Sequence, residues 1–431
     1  MIGIIADDTT GANDIGLMFA KHGWATAVVA HDAPGPLPAA DALILDTDSR
    51  LDPPEKAYAK VHAATERLRA LGCTWLHKKT CSVFRGNIGT EFDAMLDACG
   101  GEFVVVSVAF PKNGRQTHGG IHTVHGVRLE ASAFARDPVH PTLESNLVTV
   151  LQAQTKRKVG LVDLATVRAG AAALRAAIAE RRRDCNYCIV DATEQSDLTT
   201  LAEAAHDWPL HAGSSALAEE LPAFWPRPAR RDLFDGIDSS DAGGTLVVSG
   251  SLTPQTRAQT AALIDHGTPF IALDSRMLFT PSTRENELRR AFDAALKHLR
   301  AGRDVLVLAN QNDDIVAETK RLGAQSGLDA LATSKTVSAA LAEIADELVA
   351  AAGVKRLVVA GGDTSGTVCR RLGIRGNWVL REIAPGVPSG LAIDRPLLLV
   401  LKSGSFGGND FLIEAVTHLK NLRARTEPAH S

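Results

Sequence analysis

Ile2-Gly3-Ile4-Ile5-Ala6-Asp7-Asp8-Thr9-Thr10-Gly11-Ala12-Asn13-Asp14 opens the chain. Five small or apolar residues run straight into carboxylates and hydroxyls, and then into a helix-forming stretch. A strand buried on both faces reads as an apolar run, not an alternation, and that points to a parallel sheet covered by crossover helices. The pattern recurs at Thr26–Ala30, Ala42–Leu45, Trp75–His77, Phe103–Ala109, Val159–Val162 and Tyr187–Val190. Helical periods between them include Pro54–Leu71, Glu91–Ala98 and Thr166–Arg182. From Leu221 to Thr245 the sequence turns rich in Pro, Gly, Ser and Asp, the composition of an interdomain linker. Strand-like runs then resume at Leu246–Ser249, Phe270–Leu273, Val305–Leu308, Leu357–Ala360, Val379–Ile383 and Leu397–Leu401, with helices around 254–265, 284–300, 336–352 and 409–420. The expected fold is α/β: two α/β domains with mainly parallel sheets and a cleft between them, at 1–225 and 245–431, joined by a linker at 226–244.

The bulk properties exclude several classes of function. The chain has 431 residues, 46 Lys+Arg against 50 Asp+Glu, a net charge of -4 and 45% hydrophobic residues, a globular average. A nucleic-acid partner would need a basic surface, and the longest basic block is Arg181-Arg182-Arg183. No apolar run reaches the ~18 residues of a bilayer span, so a soluble, cytoplasmic protein with no membrane partner is expected. Six scattered cysteines suit reduced thiols. Cys185-x-x-Cys188 lacks a second pair and reads as core; His118, His122 and His125 lack accompanying carboxylates or thiols, so no metal site is assigned. For the assembly a homodimer is the default expectation.

Three constellations can carry chemistry. In an open α/β sheet, ligands sit at the carboxyl ends of strands. One of Asp7 and Asp8 suffices to cap the next helix, but three Asp and an Asn crowd the turn, and the surplus suits a general base toward a hydroxyl. Asp46-Thr47-Asp48-Ser49-Arg50 and His77-Lys78-Lys79-Thr80-Cys81-Ser82 also follow apolar strands. Arg50 could grip a carboxylate in bidentate fashion, Lys78 or Lys79 could add point charge or form a plain solvated pair, and Arg115 could add a further donor. The third constellation is glycine-rich: Val248-Ser249-Gly250-Ser251, Gly361-Gly362-Asp363-Thr364-Ser365-Gly366 and Leu401-Lys402-Ser403-Gly404. Each is a strand-to-glycine turn, none is a Walker A or Gly-x-Gly-x-x-Gly sequence, and together they suit the phosphates of a nucleotide. The stretch 113–142 shows no period and reads as a long functional loop.

Taken together and in order, Ala6-Asp7-Asp8-Thr9-Thr10-Gly11, Gly361–Gly366, Pro385-Gly386-Val387-Pro388 and Leu401–Gly407 resemble the four-carbon acid sugar kinases over the whole chain. Gly114-Arg115 with Asp137-Pro138, and Ala212-Gly213-Ser214-Ser215, extend the resemblance. It implies an ATP- and Mg²⁺-dependent kinase acting on the O4 hydroxyl of a sugar acid, D-threonate first, with D-erythronate and 3-oxo-tetronate as alternatives. Asp8, Arg50 and the turn Lys78, Lys79, Thr80, Cys81, with Arg115, would hold the acid; Ser249, Gly361, Gly362, Asp363, Thr364 and Gly404 would hold ATP. Asp8 is the expected catalytic carboxylate and Asp363 its rival. Asn13-Asp14-Ile15-Gly16 resembles the threonate kinases more than the 3-oxo-tetronate kinases, while Thr9 stands where a bulkier apolar residue is frequent. Rival readings are a nicotinamide-dependent hydroxy-acid dehydrogenase, which lacks its dinucleotide fingerprint, and a non-catalytic two-lobed sugar-acid sensor.

Overall fold

The computed structural model describes residues 1–137, 140–229, 233, 243–404 and 406–422. Pro138, Ser405 and most of the expected linker, at 230–232 and 234–242, lie outside the described residues. The chain forms two compact units, Met1–Arg230 and Arg231–Ser431.

The N-terminal unit contains β1 (Ile2–Ala6), β2 (Thr26–Ala30), β3 (Ala42–Asp46), β4 (Trp75–Lys79) and β5 (Val104–Ser107). A hairpin region follows with β6 (Arg115–His118), β7 (Ile121–Val124) and β8 (Val127–Arg128), and the unit closes with β9 (Val159–Val162), β10 (Tyr187–Val190) and β11 (Leu210–Gly213). Its main sheet runs β2-β3-β1-β4-β11-β5-β10-β9, all parallel. β1, β3, β4, β5 and β10 are buried along their whole length, as their apolar runs demand. The aperiodic stretch expected as a loop instead carries the small antiparallel sheet β6-β7-β8, whose strands of two to four residues are too short to show a period. The single helix expected over Thr166–Arg182 is two, Leu164–Arg168 and Ala171–Arg181, split at Gly170, whose φ of 101° no helix accommodates.

The C-terminal unit contains β12 (Leu246–Ser249), β13 (Phe270–Leu273), β14 (Val305–Ala309), β15 (Arg356–Ala360), β16 (Gly376–Ala384), β17 (Val387–Ala392) and β18 (Leu398–Lys402), in the order β13-β14-β12-β15-β18-β17-β16. The first five strands in that order are parallel, and β18-β17-β16 form an antiparallel meander through Gly386 at φ 77°. One face is packed by the helices Pro281–Arg300 and Ala330–Ala352, the other by Pro254–Asp265 and Phe411–Asn421.

One feature is shared by both units. β1 has β3 on one side and β4 on the other; β12 has β14 on one side and β15 on the other. The four-strand order second-third-first-fourth is therefore the same in each. In each, the connection leaving the first strand runs to one side of the sheet and the connection leaving the fourth to the other, and the crevice beyond their carboxyl ends is where open α/β sheets take ligands.

Candidate active site

In the N-terminal unit the strand register brings four chain exits to one edge. Ala6 lies opposite Asp46 and Lys79, and Lys79 lies opposite Gly213. Past Ala6 the backbone fixes the turn: the Asp7 carbonyl accepts from the N–H groups of Ser49 and Arg50, at 3.0 and 3.2 Å. Arg50 is thereby delivered to the acids. Its Nε and Nη2 grip Asp7 in bidentate fashion, both at 2.8 Å, and its Nη1 donates to Asp8 Oδ2 at 2.7 Å. The fork expected to bind a ligand carboxylate is thus closed on Asp7. That guanidinium and the two lysines hold the Asp7 carboxyl down at about 2 against the opposing effect of its burial.

Asp8 does cap the helix Thr9–Ala20: its Oδ1 accepts from Gly11 N at 2.9 Å, and Oδ2 accepts from the Thr10 hydroxyl as well as from Arg50. The cap requires glycine three residues on, because a Cβ at Gly11 would lie 2.4 Å from Asp8 Oδ1 and 2.9 Å from Lys79 Nζ. Capping does not exhaust Asp8. Its side chain is 18% exposed against 1% for Asp7, and Oδ1 keeps an acceptor position.

Lys78 and Lys79 are both buried, which removes the solvated-pair reading. They point to opposite faces of β4, as strand neighbours must. Lys78 Nζ pairs with Glu91 at 2.8 Å, and Glu91 also accepts from Ser49. Lys79 Nζ donates to the Thr80 carbonyl and lies 3.9 Å from Asp14 Oδ2. Asp14 bonds Ser215 from the exit of β11, while its Oδ1 is buried with no hydrogen-bond partner. Burial raises the Asp14 carboxyl to about 6, and burial with nearby Asp48 raises Asp46 to about 7. Thr80 also has a buried hydroxyl without a partner.

Arg115 comes from β6. Its Nη1 donates to the Asn113 carbonyl, its Nε is buried and unpartnered, and no carboxylate pairs with it among the described residues. Burial pushes its guanidinium down, while the charges of Cys81 and Asp14 act in the opposite sense. Cys81 is buried too; the cations of Arg85 and Arg50 outweigh that burial and bring its thiol below the ordinary value. Arg85 itself pairs with Asp137. The arrangement is an edge of mutually compensated charges with one half-buried guanidinium left over, which suits a small anion. His122 is spoken for: its two ring nitrogens bond Thr117 Oγ1 and the Ser82 carbonyl, both at 2.9 Å.

The C-terminal unit uses backbone instead of charge. Ser249, Gly361 and Lys402 leave the adjacent strands β12, β15 and β18 together: Gly250 N donates to the Ala360 carbonyl, and Gly361 N to the Lys402 carbonyl at 2.7 Å. A Cβ at Gly250 would sit 2.2 Å from Thr364 Oγ1, and one at Gly404 would sit 2.7 Å from Ser251 Oγ, so the three glycine turns touch. Gly361, at φ 131°, starts the helix Gly362–Arg371, whose first-turn N–H groups have no intrahelical acceptor. Gly362 has open space around it, Asp363 is exposed, and the hydroxyls of Ser249 and Ser365 are buried without partners. Open backbone donors, close-packed glycines and unfilled hydroxyls fit phosphate oxygens.

The positions singled out in the sequence therefore fall into two groups: Asp8, Arg50, Lys78, Lys79, Thr80, Cys81 and Arg115 at one strand edge, Ser249, Gly361–Thr364 and Gly404 at another. Sequence reasoning gave no role to Glu91, which neutralises Lys78, or to Ser215, whose hydroxyl bonds Asp14 from 201 residues away. It also missed Lys402, although a lysine closing an apolar strand just before a glycine was a readable signal.

An edge that suits a small anion and a glycine turn that suits phosphate, each at the switch point of its own α/β unit, are what a phosphotransferase of two α/β units acting on an alcohol needs. Models of a sugar-binding N-terminal domain and a nucleotide-binding C-terminal domain match residues 2–221 and 246–412. The chain is 36% identical to a 3-oxo-tetronate kinase of Pseudomonas savastanoi pv. phaseolicola and 38% identical to one of Burkholderia multivorans, each match covering 97% of both chains. The solved structure of Haemophilus influenzae HI1011 superposes with a TM-score of 0.74 at 31% identity, covering 96% of this chain and 98% of that one. The chain belongs to the four-carbon acid sugar kinase family. Among the described residues no helix is long and apolar enough to cross a membrane.

Proposed function

We propose that the chain transfers the γ-phosphoryl group of ATP to the O4 hydroxyl of 3-oxo-tetronate. The observation that carries the anionic substrate is Arg115, a half-buried guanidinium with an unpartnered Nε and no paired carboxylate among the described residues, within electrostatic reach of Asp14 and Cys81. The choice among four-carbon acids is supported by relatives at 32–38% identity over nearly full length, all named 3-oxo-tetronate kinases.

In this reading Arg115 and Lys79 take the acid's carboxylate, and the unpartnered Thr80 hydroxyl donates to an oxygen of the sugar chain. Asp8, the most exposed carboxylate of the turn, accepts the O4 proton as the oxygen attacks; Arg50 holds it in place. Phosphoryl transfer asks mainly for such positioning and charge compensation. At the other edge the N–H groups of 362–364 and the hydroxyls of Ser249 and Thr364 receive the polyphosphate. Among the described residues no three His, Cys, Asp or Glu side chains are arranged to hold a metal ion; a Mg²⁺ brought in with ATP would be held mainly by phosphate oxygens and water and would neutralise the transferring charge.

D-threonate is the second reading, favoured by Asn13-Asp14-Ile15-Gly16. The test is ADP release with ATP and Mg²⁺, offered 3-oxo-tetronates, D-threonate and D-erythronate in parallel, with phosphorus NMR locating the new ester. Turnover is expected with a 3-oxo acid to give a 4-phosphate. Turnover with D-threonate alone would replace the substrate, and no turnover with any acid would overturn the kinase reading at this site.

A further inference from the structure

Lys402 ends β18 with its side chain wholly buried, yet no carboxylate pairs with it among the described residues. Its Nζ donates instead to the carbonyls of Ser403 at 2.6 Å and Gly404 at 3.1 Å, and to Thr256 Oγ1 at 3.3 Å. Thr253 and Thr256 donate to the same Gly404 carbonyl, at 2.8 and 2.9 Å. Three donors therefore draw one carbonyl of the glycine turn inward, and the ammonium draws in its neighbour.

We infer that Lys402 is a positioning residue of the nucleotide site, which turns the Ser403 and Gly404 carbonyls away from the polyphosphate and supplies the buried positive charge that the phosphates compensate. The inference rests on the proposed nucleotide role of this unit. Carbonyl oxygens repel phosphate oxygens, so a glycine turn serves an anion only when its oxygens are held elsewhere. A buried cation without a counter-ion is costly to a fold, and is retained where a ligand completes the pair. The absence of that counter-ion is consistent with burial alone pushing the ammonium down to about 7. Lys78, by contrast, has Glu91 and needs no ligand.

The test is calorimetric binding of AMP, ADP and ATP to the full chain and to Lys402→Met, with the melting temperature of both. Loss of a charge-assisted contact predicts ADP and ATP dissociation constants raised at least about tenfold, AMP changed less than about threefold, and a melting temperature not lowered. Unchanged ATP affinity would overturn the inference, as would an equal loss for all three nucleotides. A variant that melts well below the parent or fails to fold would make Lys402 structural and overturn it too. Failure of the unaltered chain to bind any nucleotide would instead sink the kinase reading.

Discussion

Around the carboxyl ends of β1 and β4 stand Asp7, Asp8, Arg50, Lys79 and Asp14; around those of β12 and β15, at the same place in the same strand order, stand Ser249, Gly250, Gly361 and Thr364. Topology therefore fixes where a ligand goes, and the residues at the strand exits fix what it is. A small polyhydroxy acid offers few atoms, so each must meet a side chain held rigidly, and buried ion pairs provide that rigidity. A polyphosphate carries dense charge over a longer span and is met by backbone N–H groups, which demand glycines so that the main chain can come close.

The largest effect should come from the carboxylate that faces the acceptor hydroxyl. Asp8→Asn keeps the helix cap through its remaining oxygen, and it should lower kcat by about 10²–10⁴ with little change in the KM for ATP. Asp363→Asn should leave kcat within about threefold if the transferring chemistry belongs to the first crevice. The reverse result would move the base to the glycine turn and break the division of labour just described.

Next in size is a stability effect confined to the charged edge. Glu91→Gln strands Lys78 in the core without its counter-ion, and removing one member of such a pair costs about 3–5 kcal/mol. Chemical denaturation should show that loss, and should show no comparable loss for Lys402→Met, whose ammonium has no counter-ion to strand. A paired set of kinetic variants divides the two crevices further. Arg115→Met should raise the KM of the sugar acid about 10- to 100-fold and spare ATP. Gly250→Ala, whose new Cβ would lie 2.2 Å from Thr364 Oγ1, should weaken ATP and spare the acid.

The central strands were legible because both faces of each are buried, and the exits of β1 and β4 could be read from the abrupt change to polar residues. What could not be read was pairing. Arg50 looked like a ligand fork, but its partner Asp7 is 43 residues away in sequence and meets it only through the Asp7 carbonyl's hold on the 49–50 turn. Lys78-Lys79 looked like one feature, while strand geometry sends the two ammonium groups to Glu91 and Asp14 on opposite faces. Glycine turns, by contrast, need no distant partner to be read, since what they offer a ligand is backbone.

The smallest expected effect is a pH dependence between about 4 and 7 that belongs to the charged edge. Asp46 is raised to about 7 and Asp14 to about 6 in the folded chain, from an ordinary carboxyl value of 3.8. Between those values the folded state binds more protons than the unfolded one, so these groups make stability fall as pH rises from about 4 to 7 and level off above. Asp7, held at about 2, has the opposite sign: its contribution is complete above 3.8 and disappears as pH falls through 2. Asp46→Asn removes the carboxyl that titrates highest while leaving an amide oxygen to accept from the Asp48 N–H and an amide NH₂ to donate to the Thr9 hydroxyl. Its melting temperature relative to the parent should rise steadily from pH 4 to 7 and stay constant beyond. A difference independent of pH would mean that Asp46 is already ionised in the folded chain, and that the crowding of carboxylates around Asp8 is relieved by charge pairing alone, not by protonation.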